Sequence, residues 1–201
     1  MKTQKENSKS DCRVLAILGS NGSGTDYNKF SLEKWNESKR ILLKIVKENS
    51  FEEIISGGST FIEHLAVQMF NKGLVKKLHL ELPCSFNKKE IKFEDKEDFD
   101  TSNKINYYHE IFSQKFLIDS RKQLIEAINK KALVEICLGF FDRDSKIISK
   151  ATDLAVFSFK ESENTQNIDI LTYLKNSFAN KHPNGKIWHV DLNKMDVFTK
   201  N

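Results

Sequence analysis

Two glycine-rich turns hold the residue types best suited to chemistry. The first is GSNGSG, residues 19–24, directly after the apolar run RVLAIL; the second is SGGST, residues 56–60, directly before FIEHL. Glycine lets backbone N–H groups come close to an anion, and a helix N-terminus behind such a turn favours negative charge. In that reading Gly19, Ser20, Asn21 and Gly22 form one half of a phosphate- or ribose-binding cradle, and Gly57, Gly58, Ser59 and Thr60 form the other. Neither turn fits GxGxxG, and no Gly-Lys-Ser/Thr follows to make a P-loop. What points to a nucleotide-type cleft is the pairing of two such turns, each between a strand and a helix.

Glu63 lies just inside the second helix, where a carboxylate can accept from a ribose hydroxyl or act as a general base. It can equally serve only to complement the positive helix N-terminus. Arg143, in GFFDRDSKIISKATD, is one of only four arginines, and its planar fork can grip a phosphate bidentately. Its neighbours Asp142 and Asp144 offer the alternative of a local ion pair. Cys84 follows Pro83 at a strand end, but no activating base can be placed beside it. His64 suits packing behind the site, His79 and His189 fall inside strands, and His109 and His182 are expected at the surface. No two histidines have metal-ligand spacing, so neither metal nor cofactor is expected, and there is no GxSxG nucleophile elbow.

These residues need elements to position them. RVLAIL reads as a buried strand, and Leu32, Trp35, Ile41, Leu42, Ile45 and Val46 describe a helix over residues 31–47 with Ser31 as its N-cap. A strand over residues 53–55, a helix closed by Gly73, and a third strand, KLHLEL at 77–82, follow. Residues 87–104 are almost without large aliphatics and read as a mobile charged loop near the cleft. A long helix is expected over residues 107–129, then a strand at 133–138, a short helix at 144–150 and the strong strand DLAVFSF at 153–159. A helix at 168–179 and a last strand, KIWHVDL at 186–192, complete the chain. The KESENT segment, residues 160–165, is a further turn at a strand end. Strands that alternate with helices, and are themselves continuous apolar runs, imply an α/β fold. The expectation is a Rossmann-like three-layer sandwich with a mostly parallel sheet, formed by residues 12–201 after a flexible N-terminal arm of residues 1–11.

The chain has 201 residues, 39% hydrophobic and 30% charged, which suits one domain with a full core. No stretch approaches the roughly 18 apolar residues of a membrane span, and MKTQKENSKSD lacks the apolar segment of a secretory signal. Three cysteines, far apart and odd in number, fit a reduced compartment, so a cytoplasmic protein with no membrane partner is expected. The net charge of +4 comes from 28 lysines and four arginines interleaved with 28 acids, not from a basic face. A nucleic-acid partner is therefore not expected, and an assembly of identical chains is compatible with the composition.

The order strand–GSNG–helix–strand–SGGS–helix–strand–Leu82-Pro83, then Phe141-x-Arg143 before the strand ATDLAVF, resembles the SLOG superfamily. This Rossmann-like group includes the LONELY GUY enzymes, the DNA-processing protein A fold, and ligand-sensing domains of melastatin-type channels and Thoeris defence proteins. The resemblance spans residues 13–192. It implies that residues 19–22 and 56–60 bind a nucleotide or its derivative. LONELY GUY enzymes carry PGGxGTxxE after a later strand, where this chain has KESENTQNID without a glycine, so phosphoribohydrolase activity is not implied. The function expected is binding of a nucleotide or nucleotide-sugar derivative, ADP-ribose-like or a nucleoside monophosphate, by a sensor or sequestering protein. Two alternatives stand beside it: hydrolysis of an N-glycosidic bond with Glu63 as the catalytic carboxylate, and single-stranded DNA binding.

Overall fold

The apolar run after Arg13 forms β1 (Val14–Gly19), whose side chains alternate between two cores: Leu15 and Ile17 face one, Ala16 and Leu18 the other. Burial on both faces is what a continuous apolar strand requires of a parallel sheet. The structure, a computed structural model, describes residues 13–22, 24–95, 100–159 and 170–200. The arm expected at residues 1–11 and the KESENT turn lie outside the described residues.

After β1 come the short helix α1 (Asp26–Lys29) and the long α2 (Leu32–Glu48). Ser31 caps α2 as expected, its side chain accepting from the Lys34 N–H. Then follow β2 (Glu53–Ser56), α3 (His64–Asn71) and β3 (Lys77–Leu82), which ends at Pro83. Next come β4 (Ser85–Asn87), β5 (Lys92–Glu94), α4 (Thr101–Phe116) and α5 (Ser120–Asn129). The chain continues with β6 (Leu133–Ile136), α6 (Gly139–Lys150), β7 (Asp153–Ser158), α7 (Ile170–Lys181), β8 (Ile187–Asp191) and β9 (Asp196–Lys200).

Seven strands form one sheet in the order β6-β3-β2-β1-β7-β8-β9, parallel throughout except for the last pair. The Rossmann-like three-layer sandwich expected from the sequence is the architecture found. One core packs α2, α3, α4 and α5 against one face, and a smaller one packs α6 and α7 against the other. From β1 the chain steps outward through β2, β3 and β6, then returns so that β7 pairs with the free side of β1, Gly19 opposite Phe157. That reversal opens a crevice beyond the carboxyl ends of β1 and β7, the place where open α/β sheets bind ligands. Among the described residues no helix is long and apolar enough to cross a membrane.

Three expectations need correction. The stretch expected to be a mobile loop over residues 87–104 contains β5 and the start of α4. β4 and β5 form an antiparallel pair with Phe86 opposite Phe93, their ring centroids 4.8 Å apart. Phe93 is buried, and the Asn106 side chain accepts from its N–H at 2.9 Å and donates to its carbonyl at 2.8 Å. One apolar anchor among charged residues is a signal that composition hides. Second, the helix expected over 107–129 starts earlier and is broken: Leu117 takes a left-handed conformation at φ 54°, and Asp119 caps α5 by accepting from the Lys122 N–H. Third, the chain does not end at β8, because β9 turns back against it, too exposed and too polar to read as an apolar run.

The hairpin yields a test. Phe93→Ala removes a buried ring, and urea unfolding should show a loss of about 3–5 kcal/mol. A loss below about 1 kcal/mol would mean that residues 85–94 are the unanchored loop their composition suggests.

Candidate functional site

The crevice at the β1–β7 reversal is a cleft of 260 Å³. Its floor is the carboxyl end of β1, Leu18 to Asn21, and Asp26 of α1 stands at its side. Glu63 enters from the start of α3, and Phe140, Arg143 and Asp144 come from α6. Leu171 and Leu174 of α7 add an apolar wall. Helices from both faces of the sheet thus meet across the strand ends. An open groove of 790 Å³ along the outer side of α2 contains none of the candidate residues, and its Arg40 is paired with Glu37 at 2.5 Å.

Three charged side chains are buried together. The Arg143 guanidinium meets Asp144 Oδ1 through both Nε, at 2.7 Å, and Nη2, at 2.6 Å, and Nη2 lies 3.4 Å from Glu63 Oε1. Exposures are 3% for Glu63, 6% for Arg143 and 8% for Asp144. The guanidinium also lies over the Phe140 ring, 5.1 Å from its centroid. Two polar atoms of this cluster complete no hydrogen bond, Arg143 Nη1 and Glu63 Oε2. Backbone N–H groups of Ser59 and Gly57 are near enough to favour the carboxylate's charge, yet neither reaches Oε2 with ordinary hydrogen-bond geometry. The cluster therefore keeps one donor and one acceptor open in a place where such groups are costly.

Burial raises the Glu63 carboxyl from its ordinary 4.5 to about 7. The Arg143 charge pulls against that rise, Asp144 adds to it, and the two backbone amides oppose it. Burial works against the Arg143 charge, and the carboxylates of Glu63 and Asp144 outweigh it and raise its pKa.

The structure divides the candidate residues into two groups. Gly19, Ser20, Asn21, Glu63 and Arg143 line the cleft. Gly22, Gly57, Gly58, Ser59 and Thr60 do not line it. A Cβ at Gly57 would stand 2.5 Å from Glu63 Oε2 and 2.8 Å from the Arg143 Cδ, so this glycine leaves room for the ion cluster. Gly58, at φ 65°, faces the core: a Cβ there would stand 2.5 Å from Leu82 Cδ2. Ser59 and Thr60 are fully buried, and Thr60 Oγ1 donates to the Asn21 carbonyl at 3.0 Å, tying one glycine turn to the other. Gly22 packs against the Phe61 ring.

His109, expected at the surface, is fully buried: its Nε2 donates to the Gly58 carbonyl at 3.1 Å, and Nδ1 pairs with Ser120 Oγ at 2.9 Å. His182, also expected to be exposed, is half-buried and meets the Ile148 carbonyl at 2.9 Å. His64 does pack behind the site, with Nε2 on Gln123 Oε1 at 2.8 Å. Burial lowers His64 from 6.5 to about 4 and, with the charges of His64 and Arg121 adding to it, lowers His109 to about 3. Sequence reasoning missed Asp26, Phe140 and the two leucines, and took Asp144 only as a local partner. Asp26 sits six residues after Ser20 and accepts from its Oγ at 2.6 Å, a pairing that depends on how the turn folds back. Among the described residues no cluster of histidine, cysteine or carboxylate side chains could hold a metal ion.

No family model matches the sequence. The chain is 26% identical over 170 residues to an uncharacterized protein, R261, of Acanthamoeba polyphaga mimivirus, a match covering 81% of this chain and 91% of that protein.

The Glu63 carboxyl links the site to stability. Between pH 4.5 and about 7 the folded chain holds a proton there that the unfolded chain has lost. Its contribution is therefore complete below pH 4.5 and disappears as the pH rises through about 7. The two histidines act in the opposite sense, since theirs is present above 6.5 and lost as the pH falls. Comparison with Glu63→Gln isolates the carboxyl: the stability of wild type relative to the variant should decline across that window by up to about 3 kcal/mol. A difference that does not change with pH would show that Glu63 titrates like an exposed carboxylate.

Proposed function

We propose that this protein binds a nucleotide or nucleotide-sugar derivative in the cleft beyond β1 and β7, acting as a sensor or sequestering protein of the SLOG type. The observation that carries this reading is the open donor and acceptor pair, Arg143 Nη1 and Glu63 Oε2, buried at the strand reversal. A ligand with hydroxyl and ring-nitrogen groups would satisfy both, and the ring of Phe140 with the two leucines of α7 offers its base or sugar face an apolar wall. The cleft volume of 260 Å³ lies just under the usual range for small-ligand sites, about 300–1,000 Å³. That suits one nucleoside-sized piece of a larger ligand.

A second reading, hydrolysis of an N-glycosidic bond, is favoured by the raised carboxyl of Glu63. A group that titrates near 7 can both give and take a proton at neutral pH. In that reaction Glu63 would activate water or stabilise the oxocarbenium-like centre, and Arg143 would orient the sugar.

A thermal-shift panel of nucleosides, nucleoside 5′-monophosphates and ADP-ribose tests the first reading. At 100-fold its Kd, a ligand of this cleft should add about 2.7 kcal/mol to stability, and Glu63→Gln should reduce the effect. No shift from any member at millimolar concentration would overturn it. Chromatography for released base tests the second: turnover should fall about 10²–10⁴-fold in Glu63→Gln, and equal turnover would remove Glu63 from the chemistry.

A further inference from the structure

We infer that the group this cleft receives is uncharged, the hydroxyl edge of a ribosyl or nucleoside moiety, and that a phosphate on the ligand is excluded from it. The inference rests on the nucleotide-type reading above and says which part of such a ligand enters.

A phosphate bound beyond a parallel sheet is held by free backbone N–H groups at a helix start and by cations in excess. Of the helix starts beside the cleft, those of α1, α3 and α6 carry the chain's own carboxylates, and the described first turn of α7 carries none. Asp26 is the first residue of α1, and Glu63 is the N-cap of α3. Asp142, in the first turn of α6, accepts from the Leu138 N–H at 2.9 Å. The first glycine turn offers little in their place. The Ser20 N–H donates to the Phe157 carbonyl at 3.0 Å and the Gly22 N–H to Ser20 Oγ at 3.3 Å.

Charge points the same way. Among the described residues the cleft is lined by the carboxyls of Asp26, Glu63 and Asp144 and by one guanidinium. Arg143 is engaged by Asp144 and Glu63. Lys29 is engaged too, 3.3 Å from Asp26, and among the described residues no lysine lines the cleft. Three lining carboxyls against one guanidinium leave a net charge of −1 with Glu63 protonated and −2 with it ionised. Lys29 beside Asp26 adds one positive charge, so among the described residues a phosphate dianion meets no surplus of positive charge in either state. What stays open is one buried donor and one buried acceptor. A hydroxyl accepts from the Arg143 Nη1 donor and donates its own proton to Glu63 Oε2 while carrying no charge.

Titration calorimetry on the intact chain tests this with adenosine, guanosine, cytidine and uridine, each against its 5′-monophosphate, at low and high salt. At least one nucleoside should bind about tenfold or more tightly than its monophosphate, with an affinity indifferent to salt. Asp26→Asn, which keeps an acceptor for Ser20 Oγ, should narrow the gap by improving monophosphate binding. For the nucleoside that binds, removing the 2′- or the 3′-hydroxyl should weaken binding about tenfold in one case. A monophosphate that binds as well as or better than its nucleoside overturns the inference and leaves the nucleotide-type reading standing. So does a gap that Asp26→Asn does not change, or indifference to both hydroxyls. Failure of every nucleoside and monophosphate to bind overturns the inference, and failure of ADP-ribose as well overturns the nucleotide-type reading with it.

Discussion

One buried guanidinium organises the strand ends. Arg143 comes from a helix on one face of the sheet, and Glu63 from the start of a helix on the other. Two buried carboxyls without a cation would be strongly destabilising, and a buried cation without them equally so. Each therefore fixes where the other can be, and the pair acts as a clamp across the crevice at the β1–β7 reversal. The clamp needs room beside β2, which explains why Gly57 follows that strand: a Cβ there would run into both side chains. The same clamp is imperfectly satisfied, and that shortfall is what the proposed ligand would make good.

Beneath the clamp the SGGST turn is a structural joint. His109 reaches up from α4 to the Gly58 carbonyl, and Thr60 reaches across to the Asn21 carbonyl. Phe61 follows at φ 50°, an unfavourable conformation for a bulky residue. The rings around it hold it there, Phe30 stacked at 4.5 Å and Phe112 edge-on at 5.1 Å. Helices α4 and α5, which supply none of the residues lining the cleft, thereby set the height and tilt of the turn from which Glu63 emerges. His109 and His64 remain neutral in this packing because no charged partner compensates their burial.

Glycine-rich turns at strand ends are usually read as anion cradles. In this chain Gly22, Gly57 and Gly58 serve close packing of the protein on itself, against Phe61, the ion clamp and Leu82. The carboxylates at the starts of α1, α3 and α6 complement the helix dipoles from within. A glycine can make room for a ligand or for the protein's own side chain, and composition alone does not distinguish the two.

The sequence by itself determined the layered architecture. Continuous apolar runs such as RVLAIL and DLAVFSF can be satisfied only by burial on both faces, and helical periodicity between them supplies the covers. It also singled out Glu63 and Arg143, because a carboxylate at a helix start and a scarce arginine stand out locally. Tertiary structure decided what those residues do. They are 80 positions apart, and only the return of the chain to the free side of β1 brings them within 3.4 Å. The burial of His109, the anchoring of Phe93 by Asn106, and the inward direction of Gly58 share the same cause. Each depends on a partner distant in sequence or on a backbone angle that residue type permits but does not impose. Local pattern fixes which faces must be buried, and the crossing order of the strands fixes which charges must be buried together.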